Sequence, residues 1–108
     1  MCRKTAETEA EAVSGTVVRK HMVFSGLVQG VGFRWRARHA AEAFGVTGWV
    51  RNEADGSVTM ELQGTEEQLA RVLESLERGV YIRVEACSSF GIPVIPGERG
   101  FVTRDDAW

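Results

Sequence analysis

The stretch that most constrains this chain runs from Ser25 to Arg38, SGLVQGVGFRWRAR. It opens at the end of an apolar run and closes inside a helical pattern, with Gly26, Gly30 and Gly32 between. Glycine admits backbone angles that other residues resist and lets main-chain N–H groups approach a bound group closely. A strand, a glycine-rich loop and a helix N-terminus in succession make an anion site, because unpaired N–H groups and the positive end of the helix dipole converge there. Arg34, Arg36 and Arg38 fall in the first turns of that helix, where each cation meets the positive dipole end at a cost of about 0.3–1 kcal/mol. Arg34, directly against the loop, reads as an anion ligand. Arg36 and Arg38 read as a solvated basic face.

The flanking pattern sets the architecture. Val17 to Ser25 is β-branched and apolar and reads as a strand, with Arg19 and Lys20 near its start and His21 as an ordinary strand-face residue. Phe33, Ala37, Ala40, Ala41 and Phe44 fall on one face of a helix that Gly45 ends. Trp35 points away from that face, either flanking the anion site or covering a sheet edge. Val46 to Asn52 is a short strand, and the Asp55-Gly56 pair marks a hairpin turn. Ser57 to Gln63 alternates, with Val58, Met60 and Leu62 on a dry face and Thr59, Glu61 and Gln63 on a wet one. Thr65-Glu66-Glu67-Gln68 is a capping box, and Leu69, Val72, Leu73 and Leu76 give the apolar stripe of a second helix that Gly79 ends. Tyr81 to Ile92 reads as a fourth strand; Pro93 and Pro96 exclude a central strand beyond it, and Phe101 to Arg104 is a short last one.

The order is β-α-β-β-α-β with an extra strand. It predicts an α+β, ferredoxin-like sandwich: a four-stranded antiparallel sheet, two helices on one face and a short extra C-terminal strand. The expected organisation is a flexible extension over 1–16, one domain over 17–104 and a tail over 105–108, in which Trp108 could dock. A chain of 108 residues has room for one such core.

Composition removes several function classes. A net charge of −2 argues against a dedicated nucleic-acid binder, so any positive potential is local. Cys2 and Cys87 do not make a disulfide framework, and a reducing compartment fits them. No apolar run approaches the ~20 residues of a membrane span, and the N-terminus lacks the apolar core of a signal peptide. The expectation is a cytoplasmic protein.

Two generic phosphate motifs fail on inspection. A P-loop needs Lys followed by Ser or Thr where Phe33-Arg34 stands, and a dinucleotide fingerprint starting at Gly30 needs glycine where Trp35 stands. The aromatic, basic pattern of an RNA-recognition sheet is also absent, with Phe24 the one aromatic noted on the first strand.

GLVQGVGFRW, the strand GWVRN, then DGSV and a terminal PGERGF, taken together, closely resemble the acylphosphatase family, from about Val18 to about Thr103. The resemblance implies hydrolysis of a small-molecule acyl phosphate, the mixed anhydride of a carboxylate and phosphate, with inorganic phosphate as product and no metal or cofactor. The expectation is a monomer, and with the composition it is one that engages neither nucleic acid nor membrane. The resemblance places the phosphate in the loop Leu27, Val28, Gln29, Gly30, Val31 and Gly32, held by backbone N–H groups. Arg34 matches the family's phosphate-binding catalytic arginine and Asn52 the asparagine that orients the attacking water. The chemistry is consistent with the residues, since phosphoryl transfer is chiefly positioning and charge stabilisation, and a guanidinium grips two equatorial oxygens as lysine cannot. With a carboxylate as leaving group, little acid assistance is needed, and the substrate's own phosphate is a candidate to take the water's proton.

Three departures stand out: Leu27 where many members carry arginine, Glu53 as an acid beside Asn52, and no Gly-Pro start to the strand after Gly79. Two other readings are a phosphate-binding or regulatory module of the same fold without turnover, and a relative of the acylphosphatase-like domain of hydrogenase maturation carbamoyltransferases. The joint presence of Arg34 and Asn52 argues against the first. The short chain with two cysteines argues against the second.

Overall fold

A computed structural model describes residues 15–104. Most of the extension expected over 1–16, Cys2 and the tail over 105–108 with Trp108 lie outside the described residues. The elements are β1 (Val17–Leu27), α1 (Phe33–Phe44), β2 (Thr47–Asn52), β3 (Val58–Thr65), α2 (Glu66–Glu77), β4 (Arg83–Ile92) and β5 (Phe101–Thr103). They form one five-stranded sheet in the order β4-β1-β3-β2-β5. The first four strands pair antiparallel, as the pattern predicts. The extra strand β5 pairs parallel with β2, with Gly48 opposite Phe101 and Val50 opposite Thr103, which makes the whole sheet mixed.

The core lies between the sheet and the two helices. Met22, Phe24, Val50, Val58, Met60 and Leu62 from the strands meet Phe33, Ala37, Ala40 and Ala41 of α1 and Leu69, Val72 and Leu76 of α2. Phe24 and Phe33 pack with ring centroids 5.0 Å apart, which anchors the first turn of α1 to the end of β1. Phe44 sits at the edge of the face assigned to it and is about a third exposed. Gly45 in the left-handed conformation closes the helix by donating to the Ala41 carbonyl. The second helix starts as expected, Thr65 Oγ1 accepting from the Gln68 N–H and Gln68 Oε1 from the Thr65 N–H.

The face of the sheet remote from the helices is not the wet surface that alternation predicts. Thr59 and Gln63 are buried there. The segment after β4 folds across this face, Gln63 Nε2 donating to the Ile95 carbonyl and the Ile95 N–H to Gln63 Oε1. Arg19 is 1% exposed beneath it, donating to Glu61, Gln63 and Glu98 at 3.0, 3.0 and 2.7 Å. Burial disfavours its charge, but the two carboxylates outweigh that and raise its pKa above the ordinary arginine value. Lys20, on the opposite face, is buried too and lies 3.1 Å from Glu66. Both residues lie near the start of β1, as expected, and are interior ion-pair members. His21 is the strand-face residue expected, stacked on Phe90 and 2.7 Å from Glu61. Cys87 is disulfide-bonded, against the expectation of a reduced thiol.

Candidate active site

The site begins where β1 stops being regular. The pairing of β1 with β4 shifts register between Ser25 and Gly26, and Gly26 has φ 120°. A Cβ there would stand 2.4 Å from the Arg83 carbonyl, so the bulge admits only glycine. Leu27 still belongs to β1, opposite Arg83, and is 53% exposed. The turn proper is therefore 28–32. Val28 plugs it into the core, and Gly30 and Gly32 take φ 73° and 84°. Both have open space around them, so the requirement is conformational rather than steric.

Gln29 holds the loop from beneath. Its Nε2 donates to the Glu53 and Ser57 carbonyls at 2.7 and 2.8 Å, which ties the loop to the β2–β3 turn. That turn is itself braced by Asp55, whose Oδ1 accepts from the Ser57 N–H and hydroxyl and whose carboxyl is held below its ordinary pKa by them. Glu53 points into this bracing, 2.9 Å from Arg51. Hydrogen bonding from Thr59, then the Arg51 contact, keeps its pKa low against the opposing effect of burial. It is absent from the cleft lining, so it is not the acid beside an anion that its sequence position suggests.

Gly32 is the N-cap of α1. It offers no side-chain cap, and the first turn carries no acidic residue. The first intrahelical bond runs from the Arg36 N–H to the Gly32 carbonyl at 2.9 Å, so the helix leaves the earlier N–H groups of its first turn for an outside acceptor.

Above this N-terminus lies an open cleft of about 430 Å³, lined by residues including Val28, Gly30, Gly32, Arg34, Asn52 and Thr103. Arg34 and Asn52, 18 positions apart in sequence, thus share one cavity with two of the loop glycines. Leu27, Gln29 and Val31 do not line it. Asn52 ends β2 and is 8% exposed, and its Oδ1 is buried without a hydrogen-bond partner. Such an acceptor is costly unless something meets it.

The other two arginines diverge. Arg36 is not a solvated charge, since its Nε donates to the Ser75 carbonyl at 2.5 Å and ties α1 to α2. Arg38 pairs with Glu42 on the exposed helix face and also reaches the cleft rim. Trp35 flanks the cleft, which decides between the two positions its sequence left open. Thr103 and His39 were not foreseen there: Thr103 arrives by β5 pairing, and His39 is one helical turn from Trp35. Among the described residues no group of three or more His, Cys, Asp or Glu is placed to hold a metal ion. Nor is any helix among them long and apolar enough to cross a membrane.

A family model described as Acylphosphatase matches residues 20–103, nearly all of the described chain. The chain belongs to the acylphosphatase family. One acylphosphatase, from Bifidobacterium longum, is 50% identical over 66 residues, which are 61% of this chain and 68% of that one. Among solved structures, the acylphosphatase from Bacillus subtilis superposes with a TM-score of 0.74 at 28% identity, over 81% of this chain and 98% of the other. Full-length HypF in its phosphate- and nucleotide-bound form gives a TM-score of 0.75 at 18% identity, over 90% of this chain but 13% of that far longer one. That last likeness is one of fold. Acylphosphatases hydrolyse acyl phosphates to a carboxylate and inorganic phosphate, and the glycine loop, bare helix N-terminus and arginine are suited to the dianionic end of such a molecule.

Proposed function

We propose that the cleft hydrolyses a small-molecule acyl phosphate without a metal or cofactor, Arg34 gripping the phosphoryl group and Asn52 orienting the water. The observation that carries this is the meeting of Arg34, Asn52, Gly30 and Gly32 around one cavity, with the Asn52 Oδ1 lacking any partner. The phosphoryl oxygens would lie against the N–H groups of the segment from Leu27 at the end of β1 to Gly32 and of the first turn of α1. The guanidinium takes two of those oxygens in a bidentate manner, and its charge is worth most as negative charge spreads over them in the transition state. Asn52 accepts from the attacking water and fixes its line of approach. The water oxygen bonds to phosphorus, the bond from phosphorus to the acyl oxygen breaks, and the carboxylate leaves with the electron pair. The water's proton passes to a phosphoryl oxygen.

A monomer acting without nucleic acid in the cytoplasm is part of the same proposal. The net charge of −2 offers no general attraction for a polyanion. The bonded Cys87 weighs against the cytoplasm, and cell fractionation tests that placement.

The deciding experiment is phosphate release from acetyl phosphate in excess EDTA. Wild type should turn over undiminished. Asn52→Ala should lose most of kcat while inorganic phosphate still binds within a few-fold, whereas Arg34→Lys and Arg34→Gln should lose activity by orders of magnitude and bind phosphate more weakly. Near-normal turnover in the Asn52 or Arg34 variants, or loss with chelator that a divalent metal restores, would sink the mechanism.

A further inference from the structure

The cleft is larger than its phosphate end requires. At about 430 Å³ it falls among cavities that take a whole small ligand, and beyond the glycine loop its lining includes Trp35, Arg38, His39 and Thr103. Trp35 is 62% exposed, an unusual state for the largest apolar side chain on a helix whose other face packs a core. The indole is nevertheless held: the His39 ring stacks on it with centroids 3.9 Å apart and planes 28° from parallel. His39 is held in turn, since its Nδ1 lies 3.0 Å from the Trp35 carbonyl one turn back. A donor on Nδ1 directed at that carbonyl fixes the ring's orientation. Trp35 follows Arg34 in the first turn of α1, and both side chains line the same cleft.

A stacked, immobilised aromatic surface presents a flat apolar wall with little entropy left to lose on contact. We infer that Trp35, backed by His39, is the acyl-group platform of this site and biases it toward acyl phosphates whose acyl group is aromatic. This deepens the hydrolase reading and rests on it. Trp35 acts on specificity and touches no bond that breaks. Arg34 and the loop hold the phosphoryl end equally for any acyl group, whereas the indole gains contact only when a ring is present.

The test compares benzoyl phosphate with acetyl phosphate for wild type, Trp35→Ala and Trp35→Phe. Trp35→Ala should lower kcat/KM for benzoyl phosphate about tenfold, the factor that corresponds to an aromatic contact of about 1.4 kcal/mol, mostly through a higher KM. For acetyl phosphate the same variant should stay within about twofold of wild type, and Trp35→Phe should recover most of the benzoyl preference. Because the side chain is largely outside the core, the variants should fold, and an unchanged thermal midpoint verifies it. Equal losses on both substrates, or no loss on benzoyl phosphate, would overturn the platform while leaving the hydrolase reading intact. Wild type inactive on both substrates would remove the hydrolase reading and the platform with it.

Discussion

Gln29 offers the sharpest separation of scaffold from chemistry, because it sits in the glycine loop yet faces away from the cleft. Gln29→Ala removes two hydrogen bonds, at 2.7 and 2.8 Å, to the Glu53 and Ser57 carbonyls. Two such bonds contribute a net ~1–3 kcal/mol, and the half-buried position favours the lower end, because water can reach part of what is lost. A loss of ~1 kcal/mol in a domain of this size lowers Tm by about 4–8 °C. The functional loss should be larger in proportion. The loop N–H groups are held in register with Asn52 through this brace, and displacing a positioned group by ~1 Å can cost about a hundredfold in rate. Acetyl phosphate turnover at 25 °C, well below the lowered Tm, should therefore fall at least tenfold in kcat. Gln29→Glu keeps the length but replaces both donors with an acceptor aimed at two carbonyls, and it should be worse than alanine on both measures. A Gln29→Ala enzyme with lowered Tm and unchanged kcat would refute the coupling, and a Gln29→Glu protein equal to wild type would refute the hydrogen-bond account altogether.

Two further predictions concern the scaffold. Glu61 is pushed up by burial but held further down by His21 and Arg19, so its folded pKa lies below the ordinary value of 4.5. Its contribution to stability is then fully present above that value and is lost as pH falls through the depressed one; Tm measured from pH 7 down to about pH 3 should fall less steeply for Glu61→Gln than for wild type, and parallel curves would contradict the assignment. Gly26→Ala forces a Cβ to within 2.4 Å of the Arg83 carbonyl at φ 120°, and should cost at least ~2 kcal/mol by urea unfolding. A tolerated alanine would mean the bulge relaxes.

What could be read from the chain was mostly local. The run from Gly26 to Arg38 names its own loop and helix, and Thr65 and Gln68 name a helix start, because every partner lies within four positions. The interior status of Arg19 could not be read that way, since its partners Glu61 and Glu98 are 42 and 79 residues distant. The same holds for the covered face of β3, which depends on Ile95 folding back over Gln63. Alternation says which residues share a face, not what will be laid across it. At the site, Arg34 was singled out by the glycine loop before it and Asn52 by the family resemblance alone, and the two line one cleft. Gln29 was placed in the loop but its brace was not visible, because its acceptors are backbone carbonyls that carry no residue signature. Thr103 entered through a parallel pairing that a three-residue strand does not announce.

The helix α1 begins on a glycine that offers no side-chain cap, with no acid in its first turn and an arginine at its second position. Any residue suited to finishing that turn would occupy the place where an anion belongs. Under the proposed function the helix is left for its ligand to complete, and inorganic phosphate, the product, has the chemistry to do so. A protein built this way draws part of its fold stability from the concentration of the molecule it releases, growing by RT ln(1 + [L]/Kd) as phosphate accumulates. On the proposed reading, turnover and persistence are opposed: phosphate held in the cleft would slow the enzyme and at the same time protect it from unfolding.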